Sequence, residues 1–123
     1  MEARYVFRVR VRLEVEPGAE AVSLEPRTAE TTLFYDAPEP GADGWLFFRN
    51  TLWRGEVSDR AYARRLVDEW LSPPVESVAF SELQVDEEYF EALKAEIAAD
   101  LEAFNADAVS EVLSKYLGSS VRV

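Results

Sequence analysis

The side chains best suited to chemistry in this chain are arginines and aromatics. Arg4, Arg8, Arg10 and Arg12 recur at even positions of one N-terminal run, and Trp45, Phe47, Phe48, Arg49, Trp53 and Arg54 crowd between Gly44 and Glu56. If the first run is extended, Arg8, Arg10 and Arg12 stand about 6–7 Å apart on one face. That spacing suits backbone phosphates of a single-stranded nucleic acid, with Trp45, Phe47 or Tyr35 for stacking. It equally suits cross-strand pairing with Glu30 or Asp36, which also keeps an edge strand from sticking to a neighbour. In the second cluster, Arg49 or Arg54 could clamp a carboxylate or phosphate with two parallel hydrogen bonds. Trp53, Arg54 and Glu56 form its accessible end, where a strand gives way to a turn.

Other reagents are missing. The chain has no histidine and no cysteine, so Ser-His-Asp and Cys-His nucleophile systems and the common zinc sites have no ligands to draw on. Gly18, Gly41, Gly44, Gly55 and Gly118 are scattered and assemble neither a phosphate loop nor a dinucleotide fingerprint. Carboxylates are abundant, but Glu87, Glu88, Glu91, Glu96 and Asp100 fall at the spacing of a solvated helix face, without an EF-hand pattern. No catalytic, cofactor-binding or metal-binding residue is assigned.

The elements that must carry these side chains follow from hydrophobic period. Tyr5, Phe7, Val9, Val11, Leu13 and Val15 alternate with Arg4, Arg8, Arg10, Arg12 and Glu14, which predicts a half-buried strand ended by Pro17-Gly18. Arg27 to Asp36 is rich in threonine and aromatics and predicts a second strand. The Pro/Gly-rich stretch 37–44 predicts a loop, and Trp45 to Trp53, apolar on both alternating faces, predicts a third strand covered on both sides. Residues 59–71 switch to helical period, with Tyr62, Leu66 and Trp70 as one apolar stripe, Ala63, Val67 and Leu71 beside it, Trp70 expected in the core, and Arg64–Asp68 and Arg65–Glu69 as expected surface pairs. Ser72-Pro73-Pro74 stops that helix. Val75 to Val85 alternates as a fourth strand, and Asp86 caps helical sequence running to Gly118, with Asn105–Asp107 a possible interruption. Val121–Val123 can add an edge strand. The expected fold is a single α+β domain over residues 1–123, of order βββαβαα, its antiparallel sheet covered by helices mainly on one face.

Charge sets the environment. Against 24 acids stand 13 bases, net −11, and only Lys94 and Lys115 among the bases are lysines. Residues 1–65 hold 10 bases and 11 acids, whereas residues 66–123 hold 3 bases and 13 acids. Carboxylates at this density are tolerated where molar salt shrinks the Debye length to about 3 Å. The composition therefore predicts a halophilic protein. Lack of cysteine, of a signal peptide and of an apolar run near 20 residues predicts a cytoplasmic location and no membrane span.

The tripeptide Leu52-Trp53-Arg54, in a small acidic lysine-poor chain with an arginine-alternating first strand and a Pro/Gly loop before it, resembles the haloarchaeal LWR-salt proteins. The resemblance implies a salt-rich cytoplasmic setting and supplies no catalytic or binding residues. The leading expectation is a noncatalytic binding or protein-interaction module that recognises a protein partner or another copy of itself. Its candidate contacts are Arg8, Arg10, Arg12, Trp53, Arg54 and Glu56. The rival is an enzyme or metal-dependent protein built on carboxylates with Arg49 or Arg54. Nucleic acid is the least favoured partner, because phosphate contacts weaken steeply with salt.

Overall fold

The computed structural model describes residues 1–123. Its frame is a four-stranded sheet in the order β2-β1-β5-β6. The strands are β1 (Ala3–Arg12), β2 (Thr28–Asp36), β5 (Val75–Val85) and the short β6 (Val121–Arg122). β1 is central and antiparallel to β2 and β5, whereas β6 runs parallel to β5 beside Leu83 and Gln84. The sheet is therefore mixed, and its class is α+β. Leu13 and Val15, expected to extend β1, lie beyond its end and are exposed.

The alternation of β1 sets the two sides of the sheet. Tyr5, Phe7, Val9 and Val11 are buried and join one core with Phe48, Leu52, Val67, Leu83, Leu93, Ile97, Phe104 and Leu117. Helices thus cover the side that the odd residues of β1 face, and Arg4, Arg8, Arg10 and Arg12 remain exposed on the other. Removing side chains of this size from water supplies about 1.5–3 kcal/mol each.

β5 departs from simple alternation. Its register against β1 shifts twice, between Val6/Phe7 and between Arg10/Val11, so that Ser81 and Glu76 have no partner. Each bulge inverts the phase of the side chains that follow. Val75, Val78, Phe80, Leu83 and Val85 consequently all join the core side, although the strict period of two would have turned Val78 and Phe80 outward.

The predicted strand at 45–53 is replaced by α1 (Phe47–Thr51) followed by a small hairpin of β3 (Leu52–Trp53) and β4 (Glu56–Val57). The residues buried here are Phe48, Thr51 and Leu52, spaced three and four apart, which is the helical period. A short run that is apolar on both alternating faces fits a helical turn as well as a buried strand.

Two of the remaining helices are capped as their sequences suggest. In α2 (Arg60–Trp70) the Asp59 carboxylate accepts from the Tyr62 amide at 3.0 Å. In α3 (Glu87–Ala99) Asp86 accepts from the Tyr89 amide at 2.7 Å. A 3-10 turn at Leu101–Phe104 and Asn105 in the left-handed region separate α3 from α4 (Val109–Leu117). The core stripe of α2 is Ala63 and Val67, and Trp70, expected in the core, is 38% exposed. The expected Arg64–Asp68 and Arg65–Glu69 pairs do not form. Asp68 instead accepts from the Val75 amide at 2.9 Å, fastening the start of β5. The Pro/Gly loop is anchored to α3 by the Tyr89 hydroxyl, which donates to the Pro38 carbonyl at 2.7 Å.

Candidate interaction surface

The six candidate residues divide into two sets, and no hydrogen bond or ion pair joins one set to the other. Arg8, Arg10 and Arg12 lie on the open face of the sheet. The register places Arg4 opposite Asp36 and Gln84, Arg8 opposite Thr32 and Ala79, Arg10 opposite Glu30 and Ser77, and Arg12 opposite Thr28. Glu30 stands between two arginines, with Arg8 Nε at 3.7 Å and an Arg10 terminal nitrogen at 3.6 Å. All three side chains are at least half exposed, so each contact is worth about 0–1 kcal/mol. Arg12 makes no ion pair.

Two further arginines complete this face. Arg4 donates to Gln84 at 2.8 Å while its guanidinium lies 3.9 Å above the Phe34 ring, itself 48% exposed. Arg122 on β6 donates to Glu82 at 3.0 Å. Arg4, Arg8, Arg10, Arg12 and Arg122 thus outnumber Glu30, Asp36 and Glu82 on one surface of a chain whose net charge is −11. Sequence reasoning identified the β1 row but not Arg122 or Phe34, because only the strand order brings them alongside it.

At Trp53, Arg54 and Glu56 the backbone builds a hairpin, and the side chains stay exposed. Arg54 and Gly55 are the two central residues of the β3–β4 hairpin, with φ of 52° and 80°, and positive φ at both defines the tight type I′ turn. The turn docks on the end of α4, whose last carbonyls have no partner within the helix. The Arg54 amide donates to the Lys115 carbonyl at 2.8 Å, and the Gly55 amide to the Tyr116 carbonyl at 3.0 Å. A Cβ on Gly55 would sit 3.0 Å from the Leu117 carbonyl oxygen, and one on Gly118 would sit 3.1 Å from that of Arg54. The glycines therefore let hairpin and helix end close against each other.

Side chains reinforce the junction. Leu52 is buried, and the Trp53 ring meets Tyr116 edge-on at 5.7 Å while staying 42% exposed. Lys115 Nζ donates to the Phe104 carbonyl at 2.9 Å, and Arg49 reaches the Ala103 carbonyl at 3.5 Å, so both cations serve the end of the 3-10 turn. Glu56 pairs with Trp53 across the hairpin and stands exposed beside Arg60 at a groove of about 630 Å³ along β5. The Ser58 amide and hydroxyl both donate to the Thr51 carbonyl, at 2.9 and 3.0 Å, closing the hairpin base. Arg54-Gly55 was the available signal for this turn.

Burial and hydrogen bonding shift the protonation of a few groups that hold the fold. Burial raises the Tyr5 phenol far above its ordinary value and pushes Tyr89 up to about 12, so neither exchanges protons near neutrality. Asp86 is held below the usual carboxylate range, first by the hydrogen bond from the Tyr89 amide and also by that from the Glu2 amide. No group of three or more acidic side chains converges in the arrangement of a metal site. No helix is long and apolar enough to cross a membrane.

No curated protein and no solved structure matches this chain. A family model does. That of the LWR-salt proteins matches residues 1–123, the whole chain, and the chain belongs to that family.

Proposed function

We propose that this chain is a noncatalytic protein-interaction module of a salt-rich cytoplasm, and that its open sheet face receives an acidic protein segment. The observation that carries this reading is the charge of that face: arginines predominate there on a strongly acidic molecule. In molar salt, attraction beyond a few ångströms is screened. Recognition then depends on contact, and arginine suits contact better than lysine, because its planar fork binds a carboxylate through two hydrogen bonds and stacks on aromatic rings. Eleven of the 13 bases are arginines, and Arg4 already stacks on Phe34.

The test uses a fluorescent Asp/Glu peptide of about ten residues and a single-stranded oligonucleotide of equal charge, titrated in 1–2 M KCl. The peptide is expected to bind and the oligonucleotide to fail. Replacing Arg8, Arg10 and Arg12 together by Gln is expected to abolish peptide binding while the circular dichroism spectrum stays unchanged. Binding of the oligonucleotide alone, or peptide binding indifferent to the three substitutions, overturns the reading.

A further inference from the structure

α2 presents a second surface, on the helix-covered side of the sheet, and what it offers is independent of the arginine face. The helix buries Ala63 and Val67, yet Tyr62 remains 42% and Trp70 38% exposed, and Leu66 is only partly buried. At i, i+4 and i+8 these three line one flank of the helix. Trp70 rests one side on Tyr35, with centroids 4.9 Å apart and planes 24° from parallel. Leu66 is outside the main core cluster and its partly buried fringe.

Beside this apolar stripe lie Arg65 and Glu69, and neither forms an ion pair within the chain. Their order, arginine four residues before the acid, is the weaker orientation for pairing along a single helix. Charge also runs along α2: Arg60, Arg64 and Arg65 occupy the first half and Asp68 and Glu69 the second. Such a helix is complementary to itself when reversed. An antiparallel copy sets Tyr62 against Trp70 and Leu66 beside Leu66, and brings Arg65 to within about 3 Å of helical rise of Glu69, inside the reach of the two side chains, with each basic half on an acidic half.

We propose that this flank is a homodimer interface in which two α2 helices pack antiparallel about a two-fold axis near Leu66. A two-fold interface requires a surface to match itself, and both the apolar stripe and the charge gradient of α2 do so. Molar salt weakens ion pairs but not the aromatic stripe, which supplies the apolar burial, so the charges set the register while the stripe carries the affinity.

The test is the mass in solution, read by sedimentation or light scattering in 1 M KCl across a hundredfold range of concentration. The wild-type chain of 13.9 kDa is expected to sediment as a dimer at the upper end, and Leu66→Glu as a monomer with an unchanged far-ultraviolet spectrum. Arg65→Glu and Glu69→Arg, each alone, set like charges against each other and are expected to weaken the dimer about tenfold. Mixing the two singly substituted chains makes every opposed pair unlike again, so the 1:1 mixture is expected to recover the dimer. A wild-type monomer throughout, or single variants that dimerise as well as wild type, overturns the proposal, as does a mixture that fails to recover. Because the acidic-peptide titration reads β1 and this experiment reads α2, either can fail without the other.

Discussion

The Gly55 amide donates to the Tyr116 carbonyl across 3.0 Å, and by this contact a turn in the middle of the chain terminates a helix near its end. Gly55→Ala places a Cβ at φ 80°, 3.0 Å from the Leu117 carbonyl oxygen. Strain in the left-handed region costs about 1–2 kcal/mol, and loosening the cap about 1 kcal/mol more. The urea midpoint is expected to fall by about 1 M, with its slope unchanged.

Arg54→Gly separates backbone from side chain at the tripeptide Leu52-Trp53-Arg54. Arginine at φ 52° is strained, and glycine adopts that conformation freely. The variant is expected to equal or exceed wild type in stability by up to about 1 kcal/mol, measured by urea unfolding. A clear loss would show that the guanidinium, and not the turn, holds the hairpin.

Thr51→Val tests the one buried side-chain oxygen that lacks a hydrogen-bond partner. The Thr51 carbonyl already accepts twice from Ser58, but its hydroxyl is buried without compensation. Removing an unsatisfied hydroxyl at nearly constant volume is expected to raise stability by about 1 kcal/mol. Thermal unfolding of the variant reads the sign directly.

Asp86 ties both the chain start and α3. One carboxylate oxygen accepts from Tyr89 and the other from the Glu2 amide at 2.8 Å, with the Met1 amine 3.6 Å away. Its folded-state pKa lies below the unfolded value, so its stabilisation is complete above about pH 4 and declines as acid protonates the folded carboxylate. The Met1 amine is raised above its ordinary value, first by Asp86 and then by Glu88, so its contribution is complete below about pH 8 and disappears at higher pH. Asp86→Asn is expected to flatten both limbs of the stability–pH profile.

Salt should act on the whole surface. Residues 66–123 carry 13 acids against 3 bases, and screening relieves their mutual repulsion. The thermal midpoint is expected to climb between 0.1 and 2 M KCl, by roughly 4 °C for each kcal/mol of repulsion removed. A midpoint that stays flat across this range would contradict the salt-adapted reading.

What the sequence shows and what it hides divides along locality. β1, β2, the span of β5 and the caps at Asp59 and Asp86 follow from period and neighbouring residue types. The sharing of Glu30 by Arg8 and Arg10 follows once two strands are in register. Residues 45–53 fail because a single helical turn and a doubly covered strand share one composition, and the choice rests on Phe48 and Leu52 reaching the core. The docking of the Arg54-Gly55 turn on the end of α4 is hidden because its partners, Lys115 and Tyr116, lie more than 60 residues away in sequence. Trp70 fails because α2 presents Ala63 and Val67 to the core, leaving its aromatic flank outside.

Skipping Glu76 and Ser81, β5 spells Val-Ser-Val-Ala-Phe-Glu-Leu-Gln-Val, an alternation whose large apolar members are those facing the helices. The inner face would survive without the two extra residues, so burial is not what they serve. They lie on the stretch of β5 that precedes β6, where the strand's outer edge has no neighbouring strand. Straight, that edge would be a template for any passing chain; bent twice, it keeps its free amides out of step with an incoming strand. The interruptions that blur the strand in the sequence thus oppose edge-to-edge pairing on this side of the sheet.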